Sequence, residues 1–329
     1  MAKTAFVTGG SGFVGANLIR SLLSENYQIK ALIRAQSPQN NFKNLDVEII
    51  KSDLNDPELW KQMQNCDVLF HVAAHYSLWQ KDKDLLYQNN VLGTRNILAA
   101  ARKAQIPRTV YTSSVAAIGV KSNGEPADEN YQSPVEKLVG DYKKSKYLAE
   151  QEAYKAFQAG QDIVIVNPST PIGGYDIKPT PTGDIVLRFL RRQMPAYLNT
   201  GLNLIDVKDV ALGHILAYEK GIAGDRYILG NQNLTLKSIL DQLERITGLT
   251  APKIQVPYWL PYTVAWIDEK VLPIFGRSPT IPIDGVKMSK QVMYYNPAKA
   301  IRDLGLPQTA IASALTDAVD WFKSNGYVK

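Results

Sequence analysis

Tyr142 and Lys146 stand four residues apart in the segment YKKSK and therefore share one face of a predicted helix. An ammonium group beside a phenol favours the phenolate and lowers the phenol pKa from its ordinary value of about 10. Such a tyrosine can exchange a proton with an oxygen as a carbonyl becomes an alcohol, or the reverse. Ser114 follows a predicted strand, where its hydroxyl could hydrogen-bond that reacting oxygen or simply cap a helix. These side chains predict acid–base chemistry on a carbonyl/alcohol pair.

A second feature lies near the start of the chain, where the apolar run of residues 3–15, KTAFVTGGSGFVG, breaks into a glycine-rich turn and opens a helix. Free backbone N–H groups and the positive end of the helix dipole at such a turn bind the pyrophosphate of a dinucleotide. The glycines let the backbone approach the ligand. The segment therefore predicts dinucleotide contacts at Thr8, Gly9, Gly12, Phe13, Val14 and Gly15.

The elements that position these groups alternate along the first half of the chain. Apolar runs predict strands, and the segments between them have the spacing of amphipathic helices. This alternation predicts an α/β fold with a doubly wound parallel sheet of the Rossmann type, in which ligands lie beyond the carboxyl ends of the strands. The predicted strands are 3–8, 28–34, 46–51, 67–73, 108–113 and 162–167, and the predicted helices are 13–25, 57–64, 82–104 and 141–159.

The character of the sequence changes after Asn167. Residues 168–184 are rich in proline and glycine, which predicts a loop. We expect a dinucleotide-binding Rossmann domain at 1–168, joined by part of 204–230, and a smaller, mostly helical substrate-binding cap at 169–329. The helices predicted for this cap lie near 184–193, 208–220, 235–247 and 309–325.

Composition narrows the remaining possibilities. The chain has 329 residues, 45% of them hydrophobic and 21% charged, as in ordinary globular proteins. Its net charge of +6 is dispersed along the sequence, which does not indicate nucleic-acid binding. The single cysteine, Cys66, suits a reducing compartment, so a cytoplasmic location is expected. We predict no metal site, because His71, His75 and His214 lack the spacing of metal ligands.

Residues 257–276 combine aromatic residues and prolines with few charges and could form a membrane-facing lip. Pro257, Pro261 and Pro273 would interrupt a continuous amphipathic helix there, which favours ordinary helices packed within the cap. Because no run approaches about 20 apolar residues, no stable membrane insertion is expected.

The order of glycine turn, strand-end serine and Tyr-x-x-x-Lys helix resembles the extended branch of the short-chain dehydrogenase/reductase superfamily. The turn is similar to that branch's T-G-x-x-G-x-x-G motif. HVAA at 71–74 and NVLGT at 90–94 are similar to its H-x-A-A and N-V-x-G-T segments. The resemblance implies that Tyr142 is the general acid/base, that Lys146 lowers its pKa and holds the nicotinamide ribose, and that Ser114 positions the substrate oxygen.

The same resemblance extends to residues that surround the cofactor. It implies that Asp53 meets the adenine and that Asn90 orders a water molecule or Lys146. It further implies cofactor contacts at Leu54, Ala73, Ala74, Ser113, Pro168 and Ser169.

Within that branch, the chain looks most like the hopanoid-associated sugar epimerases and the dihydroflavonol 4-reductase-like reductases. The similar segments are YSLW at 76–79, NPSTPIG at 167–173, IKPTPTG at 177–183 and RYILGNQNLT at 226–235. The resemblance also implies a homodimer, since helices corresponding to 82–104 and 141–159 often form a dimer seam in the superfamily.

The end of the second predicted strand bears on the choice of cofactor. An NAD-specific site usually places an acid there to hold the ribose hydroxyls. Here the sequence is Leu32-Ile33-Arg34-Ala35, without an acid. An arginine can pair with the 2′-phosphate of NADP through charge-assisted hydrogen bonds. Arg34 therefore favours NADP(H), while NAD(H) remains an alternative.

Two chemistries share the same Ser-Tyr-Lys set: a reductase that exchanges NADPH for NADP, and a sugar epimerase or dehydratase that retains its cofactor. In nucleotide-sugar epimerases an arginine commonly grips the diphosphate at the position where this chain has Leu202. That difference and an apolar, aromatic lining favour a reductase of an apolar or aromatic ketone. A dinucleotide-sensing regulator is disfavoured, because such relatives typically lack the tyrosine. The expected lining comprises Tyr76, Trp79, Pro171, Pro179 and Met194, and the expected substrate contacts are His75, Tyr76, Trp79, Asn167 and Met194.

Overall fold

The computed structural model describes residues 2–271 and 279–328. Its strands are β1 (Thr4–Thr8), β2 (Gln28–Ile33), β3 (Glu48–Lys51), β4 (Val68–His71), β5 (Arg108–Thr112), β6 (Ile163–Pro168), β7 (Thr170–Ile172), β8 (Tyr197–Leu198), β9 (Gly201–Asp206), β10 (Arg226–Leu229), β11 (Gln232–Thr235) and β12 (Gln255–Val256).

The helices alternate with these strands, and a π-helical turn over Tyr87–Leu92 links two of them. They are α1 (Phe13–Ser24), α2 (Leu59–Gln62), α3 (Lys83–Leu86), α4 (Gly93–Lys103), α5 (Val115–Ile118), α6 (Gly140–Gln158), α7 (Pro181–Leu190), α8 (Val207–Lys220), α9 (Leu236–Thr247), α10 (Trp259–Lys270), α11 (Ile283–Met288), α12 (Ala298–Leu304) and α13 (Ile311–Ser324). The segment predicted as one helix at 82–104 therefore contains α3, the π-helical turn and α4.

Seven strands form one parallel sheet in the order β10-β6-β5-β4-β1-β2-β3. All the strands predicted in the first half of the sequence belong to it, and the Rossmann prediction is confirmed. The strand β10 comes from the second half of the chain and pairs with β6 at the edge of the sheet. The order reverses beside β1, and this is where ligands bind in doubly wound sheets.

Alternate side chains of the central strand β1 face opposite helical layers. Val7 belongs to the apolar cluster that contains Leu18 of α1 and Val210 of α8. Phe6 belongs to the cluster on the other face, with Ile97 of α4. Because the side chains of a strand alternate, one short apolar run anchors helices on both faces of the sheet. The glycine turn at the end of β1 is therefore held rigidly.

The loop expected at 168–184 is partly regular, which corrects that prediction. Strand β7 joins β9 and β11 in a second, three-stranded sheet. Helix α7 begins at Pro181, because proline lacks only an N–H that the first turn of a helix leaves unused. Thr180 caps this helix by accepting a hydrogen bond from Gly183 N at 3.2 Å. Helices α7, α9 and α13 pack on the second sheet in a separate apolar cluster.

The segment 257–276 is described as far as residue 271, and there one of its prolines does not have the expected effect. Pro261 does not break α10, because it lies in the first turn, where no intrahelical N–H is needed. Residues 272–276 lie outside the described part of the chain. Among the residues that the structure describes, no helix has both the length and the apolar character needed to cross a membrane.

Candidate active site

The turn between β1 and α1 is packed too closely to admit a side chain at Gly9 or at Gly15. Gly9 has a φ of +73°, in the left-handed region that favours glycine. A methyl group built on Gly9 would lie 2.7 Å from Ala73 N, and one built on Gly15 would lie 2.3 Å from Gly9 O. The turn therefore presents bare backbone at the carboxyl end of β1.

Helix α1 begins at Phe13 without a capping side chain, since its cap residue is Gly12. Gly12 N donates to Gly9 O at 3.0 Å, and Ala16 N donates to Gly12 O at 2.9 Å. The N–H groups of Phe13 and Val14 come before the first intrahelical bond and have no partner within the helix. Together with the helix dipole, they form a cradle that fits a pyrophosphate.

Thr8, the last residue of β1, ties this turn to the loop after β4. Its Oγ1 accepts hydrogen bonds from Val72 N and Ala73 N, each at 3.1 Å, so its own proton is directed to His71 Nδ1 at 2.7 Å. Burial lowers the pKa of His71 to about 3, which keeps the imidazole neutral. Its Nε2 then donates to Thr94 Oγ1 at 3.1 Å. Thr8 is fully buried and holds Ala73 opposite the glycine turn.

Ser114 follows β5 and caps α5, with its Oγ accepting a hydrogen bond from Ala116 N at 3.1 Å. This bond uses a lone pair of the hydroxyl and leaves its proton free to donate. Tyr142 lies in the first turn of α6, and the Ser114 hydroxyl favours its phenolate. One serine can therefore cap a helix and also hydrogen-bond a reacting oxygen.

Burial has the largest effect on the ionisation of Tyr142. It raises the pKa of Tyr142 to about 12, against the opposing effect of the Ser114 hydroxyl. Lys146 donates from Nζ to Thr112 O at 2.9 Å, and burial lowers the pKa of its ammonium group to about 8. The Lys146 ammonium group is directed to the Thr112 carbonyl, so its expected lowering of the Tyr142 pKa stays a prediction. The phenol keeps its proton at neutral pH.

Comparison with known proteins identifies the family. A model of the NAD-dependent epimerase/dehydratase family matches residues 5–230. This range contains the glycine turn and the Ser-Tyr-Lys set. The chain belongs to this family.

Relatives of this family member match it over nearly its whole length. It is 66% identical to a protein of Synechocystis sp. that is provisionally named a dihydroflavonol 4-reductase. The match covers 100% of this chain and 97% of the relative. It is 31% identical to sterol demethylase protein B of Methylococcus capsulatus, covering 99% of this chain and 100% of the relative. The crystal structure of gox2253 is 40% identical with a TM-score of 0.88, covering 99% of this chain and 100% of the other.

These findings confirm the resemblance to the extended short-chain dehydrogenases/reductases. As a member of the epimerase/dehydratase family, the chain is an NAD(P)-dependent oxidoreductase or epimerase. The glycine turn fits that cofactor, because bare backbone and unpaired N–H groups occupy the place where a pyrophosphate would bind.

Asn90 lies in the π-helical turn and joins the loop after β4 to helix α6. Its Oδ1 accepts from His75 N at 2.7 Å, and its Nδ2 donates to His75 O at 2.9 Å. The same Nδ2 lies 2.9 Å from Ser145 Oγ, which donates to Tyr142 O at 2.8 Å. Asn90 therefore binds Ser145, and its expected ordering of a water molecule or Lys146 stays a prediction. Ser145 was not predicted, although its place between Tyr142 and Lys146 could have indicated it.

Several polar groups cluster at the carboxyl ends of β5 and β6. The hydroxyl groups of Ser113 and Ser169 are buried, and neither has a hydrogen-bond partner among the described residues. Pro168, the last residue of β6, lies between Asn167 and Ser169. Asn167 is fully buried and donates to Ser114 O at 3.0 Å and to Glu150 Oε2 at 2.8 Å. The Nδ2 of Asn167 therefore supports the backbone behind Ser114. Its Oδ1 is buried without a hydrogen-bond partner among the described residues, and the expected substrate contact stays a prediction.

The residues expected near the adenine lie after β2 and β3. Arg34 directly follows β2 and is exposed. Asp53 follows β3, and its Oδ1 accepts hydrogen bonds from the backbone N and side-chain Nδ2 of Asn55, at 2.9 and 2.8 Å. Leu54 packs towards α4, where a methyl group built on Gly93 would lie 2.9 Å from its Cδ1. These positions share the carboxyl edge of the sheet with the glycine turn.

On the substrate side, Tyr76 lies against Tyr142. The ring centroids are 4.6 Å apart and the planes meet at 67°, an edge-to-face arrangement. Ala74 and Trp79 belong to the same loop after β4, and Ala74 is exposed. His75 Nε2 is buried and has no partner among the described residues. The structure places Met194 elsewhere, beside the apolar cluster of the second sheet and in a hollow with Phe189, Thr250 and Pro252.

Proposed function

We propose that this chain is an NADP(H)-dependent oxidoreductase that interconverts an apolar or aromatic ketone and its secondary alcohol. In this mechanism Tyr142 exchanges a proton with the reacting oxygen and Ser114 donates a hydrogen bond to it. Lys146 holds the nicotinamide ribose. When bound, the cofactor supplies or accepts the hydride. Cofactor binding is assigned to the main sheet, and most substrate contacts are assigned to residues 169–329 and the loop after β4.

The Tyr142 phenol and the Ser114 hydroxyl beside it carry this proposal. A phenol with a pKa of about 12 holds its proton at neutral pH, as a general acid must before a ketone is reduced. The Ser114 hydroxyl, whose Oγ accepts from Ala116 N, would provide a second donor for the same oxygen when substrate is bound. Two donors beside one oxygen would stabilise the negative charge that develops there as the hydride arrives.

The surroundings of Tyr142 support an apolar substrate. Tyr76 offers an aromatic ring beside the acid. Leu202 is buried in β9 opposite Leu234, so no cation stands where nucleotide-sugar epimerases commonly grip a diphosphate. The name of the Methylococcus relative points to sterols, which are rigid and apolar.

The preference for NADP(H) rests on Arg34. Its exposure at the carboxyl end of β2 leaves the guanidinium available to an anionic ligand. A carboxylate at this position would repel a 2′-phosphate, whereas a guanidinium can donate two hydrogen bonds to it.

We expect Arg34→Ala to weaken NADPH binding by about ten- to a hundredfold and to leave NADH binding nearly unchanged. The physical reason is the loss of charge-assisted bonds that only the 2′-phosphate can make. Dissociation constants for both nucleotides, measured by isothermal titration calorimetry, test this expectation.

A matched control is Arg188→Ala, which removes another exposed arginine, one that pairs with Asp184 on α7. This variant should bind NADPH as tightly as the wild type. Equal losses of NADPH and NADH affinity in Arg34→Ala would contradict the assignment of the 2′-phosphate to Arg34.

The reaction type can be tested with freshly purified protein. We expect mass spectrometry of the denatured protein to find no stoichiometric nucleotide, and the native protein to oxidise NADPH in the presence of aromatic or alicyclic ketones. A cosubstrate must leave after each turnover, whereas an epimerase retains its cofactor. Near-stoichiometric bound NAD, with turnover of a nucleotide sugar, would overturn the proposal in favour of the epimerase.

A further inference from the structure

Helix α10 turns its apolar side chains outward. Trp259 is 64% exposed and Trp266 is 48% exposed, although tryptophan is usually well buried. Residues three, four and seven apart share a face of a helix, so these exposed side chains form one continuous surface. The outward face of α10 comprises Trp259, Leu260, Val264, Trp266 and Ile267.

The acidic residues of α10 point the opposite way. Asp268 Oδ2 accepts hydrogen bonds from Thr280 N at 2.6 Å and Ile281 N at 2.7 Å, and these bonds lower the pKa of its carboxyl group. Glu269 Oε2 accepts from Ile283 N at 2.8 Å. The two carboxylates thus bind the backbone of residues 280–283 and are withdrawn from the outward face. An ordinary surface helix turns its charged side chains to solvent and its apolar side chains to the core, whereas α10 exposes apolar side chains and turns its two carboxylates inward.

Basic residues border the outward face. Lys270 is exposed at the end of α10, 3.5 Å from Glu269 Oε1, a separation at which an exposed pair contributes little. Lys290 Nζ lies 5.8 Å from the ring centroid of Tyr258, directly before Trp259. An apolar, aromatic centre with ammonium groups at its margin is typical of helices that lie in a membrane interface.

Helix α10 is connected to the candidate active site through α11. Helix α10 packs on α11. In α11, a methyl group built on Gly285 would lie 3.2 Å from Leu78 Cδ1, in the loop that carries Tyr76. Asp284 lies beside the start of α6, since a methyl group built on Gly140 would lie 3.2 Å from its Oδ2. The contacts of α11 therefore link α10 to the loop that carries Tyr76 and to the start of α6, which carries Tyr142.

We infer that the outward face of α10 docks the protein on the surface of an anionic lipid bilayer. Burying exposed tryptophan and aliphatic side chains in the interface supplies the apolar contribution, and the bordering lysines attract anionic headgroups. A second copy of the chain fits less well, because an isologous contact would set one positive margin against another. The net charge of +6 also favours an anionic partner.

The docking is tested by flotation with vesicles, a readout that does not depend on turnover or on the reaction proposed above. We expect the protein to float with vesicles of equal parts phosphatidylcholine and phosphatidylglycerol. Vesicles of phosphatidylcholine alone should bind less. Trp259→Ser combined with Trp266→Ser should abolish flotation, and Lys270→Gln should weaken partitioning by about fivefold.

The control is Ile222→Ser, which removes another exposed apolar side chain, 61% exposed and outside α10. This variant should float like the wild type, and unchanged melting temperatures should show that all variants are folded. Absence of wild-type flotation would overturn the inference, as would flotation that survives the double tryptophan variant. A dimer in solution that the tryptophan substitutions dissolve would assign the face to a second copy instead.

Discussion

Replacing Tyr142 with phenylalanine is expected to lower kcat by about two to four decades, the usual contribution of a positioned general acid or base. Phenylalanine keeps the ring and its edge-to-face contact with Tyr76 but removes the hydroxyl to which proton transfer to the reacting oxygen is assigned. The loss should appear in kcat and in kcat/KM alike, because the missing interaction belongs to the transition state. Steady-state kinetics with NADPH and a ketone substrate, beside the Kd for NADPH, measure both quantities.

The matched control for this variant is Tyr76→Phe, the other member of the stacked pair. It removes a hydroxyl from the same cleft and leaves the ring packing unchanged. We expect Tyr76→Phe to keep turnover within about tenfold of the wild type, since positioned acid–base catalysis is assigned to Tyr142 alone. Equal losses in the two variants would mean that a general change in the cleft, and not proton transfer by Tyr142, slows the reaction.

The parallel sheet could be predicted because its signals are local. Each strand is a short apolar run, and alternation within β1 already separates Val7 from Phe6. The second sheet could not be predicted in the same way. Strand β7 has only three residues, and it is defined by pairing with β9, more than thirty residues later in the chain. Such pairing leaves little trace in the local sequence.

In the candidate site, too, local features could be predicted from the sequence and contacts between separate segments could not. The glycine turn is a local feature, and the structure gives its glycines the close approaches that the motif requires. Hydrogen bonds join His75, Asn90 and Ser145, which come from separate parts of the chain. No spacing rule brings them together, so only the fold reveals the contact.

The ionisation of Tyr142 also depends on features that the sequence does not show. The sequence shows that a lysine stands four residues away, but not how deeply the phenol is buried or where the ammonium group points. In the structure burial is the larger effect, and Lys146 is directed to the carbonyl of Thr112. The exposure of the outward face of α10 could not be predicted either. The apolar composition of the segment predicts burial, and only the fold shows that its tryptophans are exposed.

Gly15→Ala is expected to weaken NADPH binding by about a hundredfold or more, through loss of two or more charge-assisted hydrogen bonds to the pyrophosphate. The new methyl group would lie 2.3 Å from Gly9 O, 2.8 Å from Gly9 C and 2.9 Å from Gly10 Cα. All three atoms are backbone, so the turn must move away from α1 and carry its N–H groups out of position. Calorimetric titration with NADPH measures the loss.

Gly213→Ala separates this effect from a general loss of stability. A methyl group there would lie 2.9 Å from Leu229 Cδ2 and 3.0 Å from Leu306 Cδ1, so α8 becomes overpacked at a site distant in sequence from the turn. Both variants should lose about 1–3 kcal/mol of unfolding free energy. Only Gly15→Ala should lose NADPH affinity, because only there does the displaced backbone itself bind the cofactor. Wild-type affinity in Gly15→Ala would show that the pyrophosphate binds somewhere other than this turn.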